Sequence, residues 1–148
     1  MSKQEEAGLI LKLYELRREE TMRKARDWYI MQFHPESFAD FSEAMTGPHS
    51  GHLRMVVTYW DMAVGFVNAG AISMEMFNNA NGEHIVVYSK IEPMLKEIHG
   101  VIGPQFGAQL QKFFEAWPEG KQRLVATRER MKQIRAMVAS QAQAAHQK

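Results

Sequence analysis

A chain of 148 residues, 45% hydrophobic and 24% charged, sits near the commonest single-domain length and can bury a core without metal or disulfide staples. It has no cysteine, which excludes disulfide frameworks, thiolate zinc sites, iron–sulfur ligation and cysteine nucleophiles. Its net charge of +1 conceals a split: from Glu119 onward seven bases stand against two acids, whereas the preceding residues hold eleven bases and fifteen acids. Such a split marks either an anionic partner or a basic helix docked on its own acidic body.

The opening Met1-Ser2-Lys3-Gln4-Glu5-Glu6 puts acid where a secretory signal has its basic region, so a cytoplasmic protein is expected. Ser2 with Glu5 forms a capping-box pattern, and helical spacing then persists to about Phe33, with Leu9, Leu13, Leu16, Ala25, Trp28 and Tyr29 inward. This predicts one first helix of about 30 residues, about 45 Å long. His34-Pro35 ends it, and Pro35 opens a short second helix with Phe38, Phe41 and Met45 inward.

Gly47-Pro48-His49-Ser50-Gly51 reads as a loop, and residues 53–69 as a buried central helix stopped by Gly70. Arg54 and Asp61 interrupt that apolar stretch, so no membrane span is predicted. Arg54, Thr58, Asp61, Gly65 and Asn68 recur at spacings of four, three, four and three, which places a polar stripe on one side of the helix.

Ser73 caps a short helix through Asn78, and Asn79-Ala80-Asn81-Gly82 makes a turn. Ile85-Val86-Val87-Tyr88 has strand composition, but Tyr88, Ile91, Leu95 and Ile98 continue a helical period to about His99, bent at Pro93. After Gly100 and Gly103, Pro104 restarts the chain into an aromatic helix with Phe106, Leu110, Phe113, Phe114 and Trp117. A last helix runs from about Glu119 past Val138, with Leu124, Met131, Ile134 and Val138 on one side, and residues 140–148 are expected to fray.

The stretch from Tyr59-Trp60-Asp61 through Gly70-Ala71-Ile72-Ser73, with Phe77 and Tyr88-Ser89-Lys90-Ile91-Glu92-Pro93, resembles an uncharacterised bacterial helical domain-of-unknown-function family over roughly residues 17–128. The resemblance implies an all-helical bacterial protein. Members often carry membrane helices ahead of this domain, but none is read here and no membrane-proximal role is carried over. The family has no established activity, so no catalytic residue transfers.

Catalytic motifs are absent. No serine lies in a nucleophile-elbow or S-x-x-K context, and Gly100-Val101-Ile102-Gly103-Pro104 lacks the lysine and preceding strand of a phosphate-binding loop. His49 and His52 form an H-x-x-H, but two imidazoles without a third ligand read as a loop, so neither metal nor cofactor is expected. The eleven methionines are dispersed along the chain, as core filling requires.

Two clusters remain. Asp61, with Arg54, Tyr59, Trp60 and Tyr88, forms a small-ligand candidate if the carboxylate is buried, because desolvation and Arg54 would then tune it. Arg123, Arg128, Arg130, Lys132 and Arg135 form an anion-binding candidate on the final helix. The prediction is an all-α bundle of five to seven helices, a single domain over residues 1–148, with long terminal helices packed near each other. Their apolar sides outreach a small core and call for a partner, which favours a non-enzymatic module that forms a homodimer or binds another protein. Nucleic-acid or anionic-surface binding by the basic helix is the alternative, and a pocket near Asp61 the third.

Overall fold

The computed structural model describes residues 2–147. Ser2 opens the first helix as its sequence dictates: its hydroxyl accepts the Glu5 N–H at 3.1 Å, and the Glu5 carboxylate accepts the Ser2 N–H at 3.3 Å. This first helix, α1 (Lys3–Leu16), is short. The predicted 30-residue helix is two, because Glu19 leaves helical backbone and its carboxylate accepts the N–H groups of Thr21 and Met22, each at 3.0 Å, to cap α2 (Glu20–Met31). Arg26 then donates to the Arg17 carbonyl at 3.0 Å and ties off the end of α1. Leu16, predicted inward, is the last residue of α1 and faces solvent, while Ile10 and Leu13 are buried.

Ser37 caps α3 (Phe38–Thr46), leaving Pro35 in the linker rather than at a helix start. Helix α4 (Ser50–Asn68) ends at Ala69 in a Schellman turn: Ala71 N–H bonds Phe66 O at 2.9 Å, Gly70 N–H bonds Val67 O at 3.0 Å, and Gly70 sits at φ +85°. Ser73 caps α5 (Met74–Ala80). Residues of strand composition fold as α6 (Glu83–Ile91), which breaks at Pro93 into a 3-10 turn (Glu92–Met94) before α7 (Leu95–Ile102). The chain closes with α8 (Ala108–Ala116) and α9 (Gly120–His146). A Cβ at Gly120 would lie 2.7 Å from the Phe114 carbonyl oxygen, so only glycine permits this close α8–α9 turn.

The fold is all-α, with nine α-helices among the described residues rather than five to seven. The excess comes from the split at Glu19 and the break at Pro93. Helix α4 is central, as its pattern predicts, packed by α2, α3, α6 and α8. Helix α6 is its equal: every residue from His84 to Ile91 except Val86 is buried, between α4, α2 and α9. The terminal helices do not pair; α1 lies on α5, and α9 on α6 and α8. The second half of α9 is exposed beyond the core, and the helix runs to His146, past the point at which fraying is expected. Lys148 lies outside the described residues.

His84 sits at the centre of this packing, fully buried among Phe77, Phe113, Trp60 and Phe114 at ring separations of 4.9 to 6.1 Å. Its Nε2 bonds Asn78 Oδ1 at 2.9 Å, leaving Nδ1 as a bare acceptor. Burial pushes its pKa from 6.5 down to about 3, with Arg123 and Arg17 adding to the shift. The unfolded chain therefore takes up this proton first as pH falls. Stability should be unaffected by His84 above pH 6.5 and fall by up to about 4 kcal/mol between pH 6.5 and 3. Denaturant titrations across that range on the parent and on His84→Leu test this: the variant should lose most of the acid slope, and an equally steep slope would place its origin elsewhere.

Candidate anion-binding cleft

The polar stripe of α4 divides in two. Arg54 and Thr58 are exposed and bond back to their own helix, Arg54 to Ser50 O and Thr58 to Arg54 O. Asp61, Gly65 and Asn68 lie under the start of α8. Helix α8 has Gly107 at its N-cap and no capping side chain of its own, so Asp61 supplies one from α4, accepting the Leu110 N–H at 2.9 Å. Asn68 donates to the carbonyl and side-chain oxygens of Gln109 at 3.0 and 2.9 Å. Burial raises the Asp61 pKa while the α8 backbone N–H groups pull it back.

The other members of that candidate cluster are separated from Asp61 by their partners. Tyr59 donates its hydroxyl to the Leu13 carbonyl, and burial pushes its pKa up to about 12. Trp60 packs edge-on against Tyr59 and donates to Glu83 Oε1 at 3.1 Å. Glu83 holds Arg26 through two further bonds at 2.9 and 2.8 Å. Tyr88 stacks on Phe114 at 4.9 Å and borders a different hollow with Trp117 and Leu124. The structure thus brings Tyr59 and Trp60 together and gathers neither Arg54 nor Tyr88 to Asp61. His49 stacks on Trp28 at 5.0 Å with His52 tilted against the same ring at 6.2 Å, and no group of three metal-ligating side chains occurs among the described residues.

The basic residues of α9 behave differently. Arg123 lies over the Trp117 ring at 5.5 Å, and Arg130 points into solvent. Arg128, Lys132 and Arg135, one helical turn apart, converge on a cleft of about 440 Å³ between α9, the His34-Pro35-Glu36 linker and the α6–α7 junction. Ser89, Lys90, Pro93, Met94 and Met131 complete the lining.

Lys90 was not singled out by sequence reasoning. It is 8% exposed, the one buried residue of α6 with an ammonium, and it donates to the carbonyls of Tyr29, Ile30 and Phe33 at 2.8, 3.1 and 2.5 Å. The Tyr29 and Ile30 carbonyls are ones that the end of α2 leaves without intrahelical partners, and Phe33 lies two residues beyond that helix, so Lys90 caps the end of α2 from α6. Burial and the nearby Arg135 lower its pKa to about 7. The signal in the sequence was a lysine inside the apolar run Ile85-Val86-Val87-Tyr88-Ser89-Lys90-Ile91, where a charge needs a partner.

His34 links the two sides. Its Nε2 bonds the Met31 carbonyl at 3.0 Å, which fixes the proton there and leaves Nδ1 to accept from Lys90 at 3.3 Å and Arg135 at 3.4 Å. Burial, Lys90 and Arg135 all lower its pKa, and the bond to Met31 opposes them. Arg128 donates to the Ser89 carbonyl at 2.9 Å and lies 3.5 Å from Glu92. Among the described residues no carboxylate lies within 4 Å of Lys90, Lys132 or Arg135, and Glu36 is the one acid lining the cleft. The cleft is therefore a basin of positive charge with an apolar wall.

A family model described as a domain of unknown function, DUF4760, matches residues 4–117. The chain belongs to the DUF4760 family. The match ends at the close of α8, so the DUF4760 region supplies the linker and α6–α7 walls of the cleft while α9 lies beyond it. No curated protein and no solved structure matches this DUF4760 chain. No described helix is long and apolar enough to cross a membrane.

Lys90→Met keeps the apolar stem and removes the donors. It should lower stability by about 2–3 kcal/mol in urea denaturation, because the end of α2 loses its cap in a site that solvent reaches poorly. An unchanged midpoint would mean that water in the cleft satisfies those carbonyls equally well.

Proposed function

We propose that this DUF4760 protein is a non-enzymatic helical interaction module that pairs with a second copy through the free arm of α9. The observation that carries this reading is a seam that runs off the edge of the body. Leu124, Thr127, Met131, Ile134 and Val138 recur at spacings of three and four. Leu124 and Thr127 are buried, whereas Ile134 is 41% and Val138 51% exposed, with Met137 beside them at 61%.

Residues 136–147 contain no Asp, Glu, Lys or Arg and five alanines. A lone helical segment of this length is marginal in water. Two such arms laid antiparallel would cover each other's Val138 and Met137, keep the Arg135 charges at opposite ends, and approach closely over alanine. An intracellular, reducing compartment fits a chain without cysteine. The paired Ile134→Asp, Val138→Asp variant tests the reading by light scattering coupled to gel filtration. The parent should elute at twice the chain mass and the variant at one, with unchanged helical circular dichroism; a parent that stays single at high micromolar concentration overturns the reading.

A second reading is favoured by the convergence of Arg128, Lys132 and Arg135: this side of α9 attracts an anionic partner, a nucleic acid or an anionic surface. Arg130 and Lys132 are exposed, so reversing both to glutamate leaves the fold intact. The parent should be retained on a nucleic-acid column with steep salt dependence and the double variant should elute early. Equal retention of the two removes this reading.

A further inference from the structure

The cleft has features that a diffuse basic surface lacks: a buried floor, an apolar wall and a bounded volume. Its floor is the Lys90 ammonium, more than nine-tenths buried with no carboxylate beside it. The bonds to the α2 carbonyls satisfy its donors but bring no negative charge to balance the ammonium at the base of the cleft. Lys132 and Arg135 line the same cleft, and among the described residues the one side-chain partner of Arg135 is the His34 imidazole. Pro93 and Met94 from the α6–α7 junction and Met131 from α9 give the cleft an apolar lining. A cleft of about 440 Å³ is far larger than an inorganic anion needs and lies within the range of small organic ligands.

We propose that this cleft is a discrete site for one small organic anion: a free carboxylate with an apolar body, its head on Lys132 and Arg135 above the Lys90 charge and its body on Met94 and Met131. Adaptable methionine walls suit an aliphatic or aryl group without demanding one shape. The head brings the charge that the cleft lacks, and guanidinium geometry favours a planar carboxylate. The inference rests on the reading that this side of α9 attracts anions, and narrows it from a surface to a pocket.

Isothermal titration calorimetry with octanoate tests it on the full chain. Octanoate should bind one to one and at least tenfold tighter than 1-octanol or inorganic phosphate, since the first lacks the head and the second the body. Lys132→Glu at the cleft rim should weaken octanoate at least tenfold, while Arg130→Glu, outside the lining, should leave it unchanged. Equal binding of octanoate and 1-octanol, phosphate binding as tightly as octanoate, or equal losses in the two variants overturns the proposal. Binding to vesicles rich in anionic phospholipid without binding of octanoate also overturns it, in favour of a lipid surface. Column retention separates the two failures: a retained parent that ignores octanoate loses the pocket but keeps the anionic-partner reading, and an unretained parent that ignores it loses both.

Discussion

The structure depends on one constraint: every helix leaves backbone groups unpaired at each end, and a chain cut into nine α-helices among its described residues has many such ends to bury. Local caps serve some of them, as Ser2, Ser37 and Ser73 do. Others are served from a different helix. Lys90 on α6 closes α2, Asp61 on α4 opens α8, Arg26 on α2 closes α1, and Glu6 on α1 accepts the Ser73 N–H that begins α5. Each of these is both a cap and a tether, because satisfying the end fixes the distance and angle between two helices. Charged side chains suit the task, since cations match C-terminal carbonyls and carboxylates match N-terminal N–H groups.

The same division separates what could be read from the sequence and what could not. Caps acting over three or four residues leave a local signature, and Ser2, Ser73, Gly70 and Pro93 were each legible for that reason. The break at Glu19 was hidden, because Arg17-Arg18-Glu19-Glu20 is composed of good helix formers and the apolar period passes across it almost undisturbed. What ends α1 is Arg26 binding the Arg17 carbonyl while its other nitrogens hold Glu83, a pairing across 57 residues. Asp61 was legible as an unusual acid on an apolar helix, but its partner, the backbone of α8, has no residue type to recognise. For the cleft, the basic residues of α9 were evident as charges; which of them converge is decided by His34, 101 residues from Arg135, and by Lys90, whose partners are carbonyls.

Helix α9 has two roles that meet at Arg135. Before it, Leu124 and Thr127 are buried and Arg128 reaches the Ser89 carbonyl, so the helix is a wall of the body. After it, the helix has no neighbour among the described residues to cover Met137 or Val138. The contact between Arg135 and His34 lies at the root of the arm, and it requires the imidazole to remain neutral. A proton on Nδ1 would remove the acceptor and set a third positive charge between Lys90 and Arg135. Lys90, Arg135 and burial all oppose that proton, so the root of the arm borders the same positive basin that the proposed anion would enter.

This arrangement gives the proposed ligand and the proposed arm a common physical basis. An anion in the cleft would neutralise the repulsion among Lys90, Arg135 and Lys132, letting α9 seat more firmly on α6 and directing its free half along one line. Without that charge the bases push against one another, and apart from the Arg128–Glu92 contact the hold on α9 is apolar packing and hydrogen bonds to neutral groups. The family match stops at Trp117, before this helix begins. The matched helices thus form a scaffold whose buried lysine faces whatever packs against α6, and α9 makes that face into a cleft by bringing up its own bases opposite it.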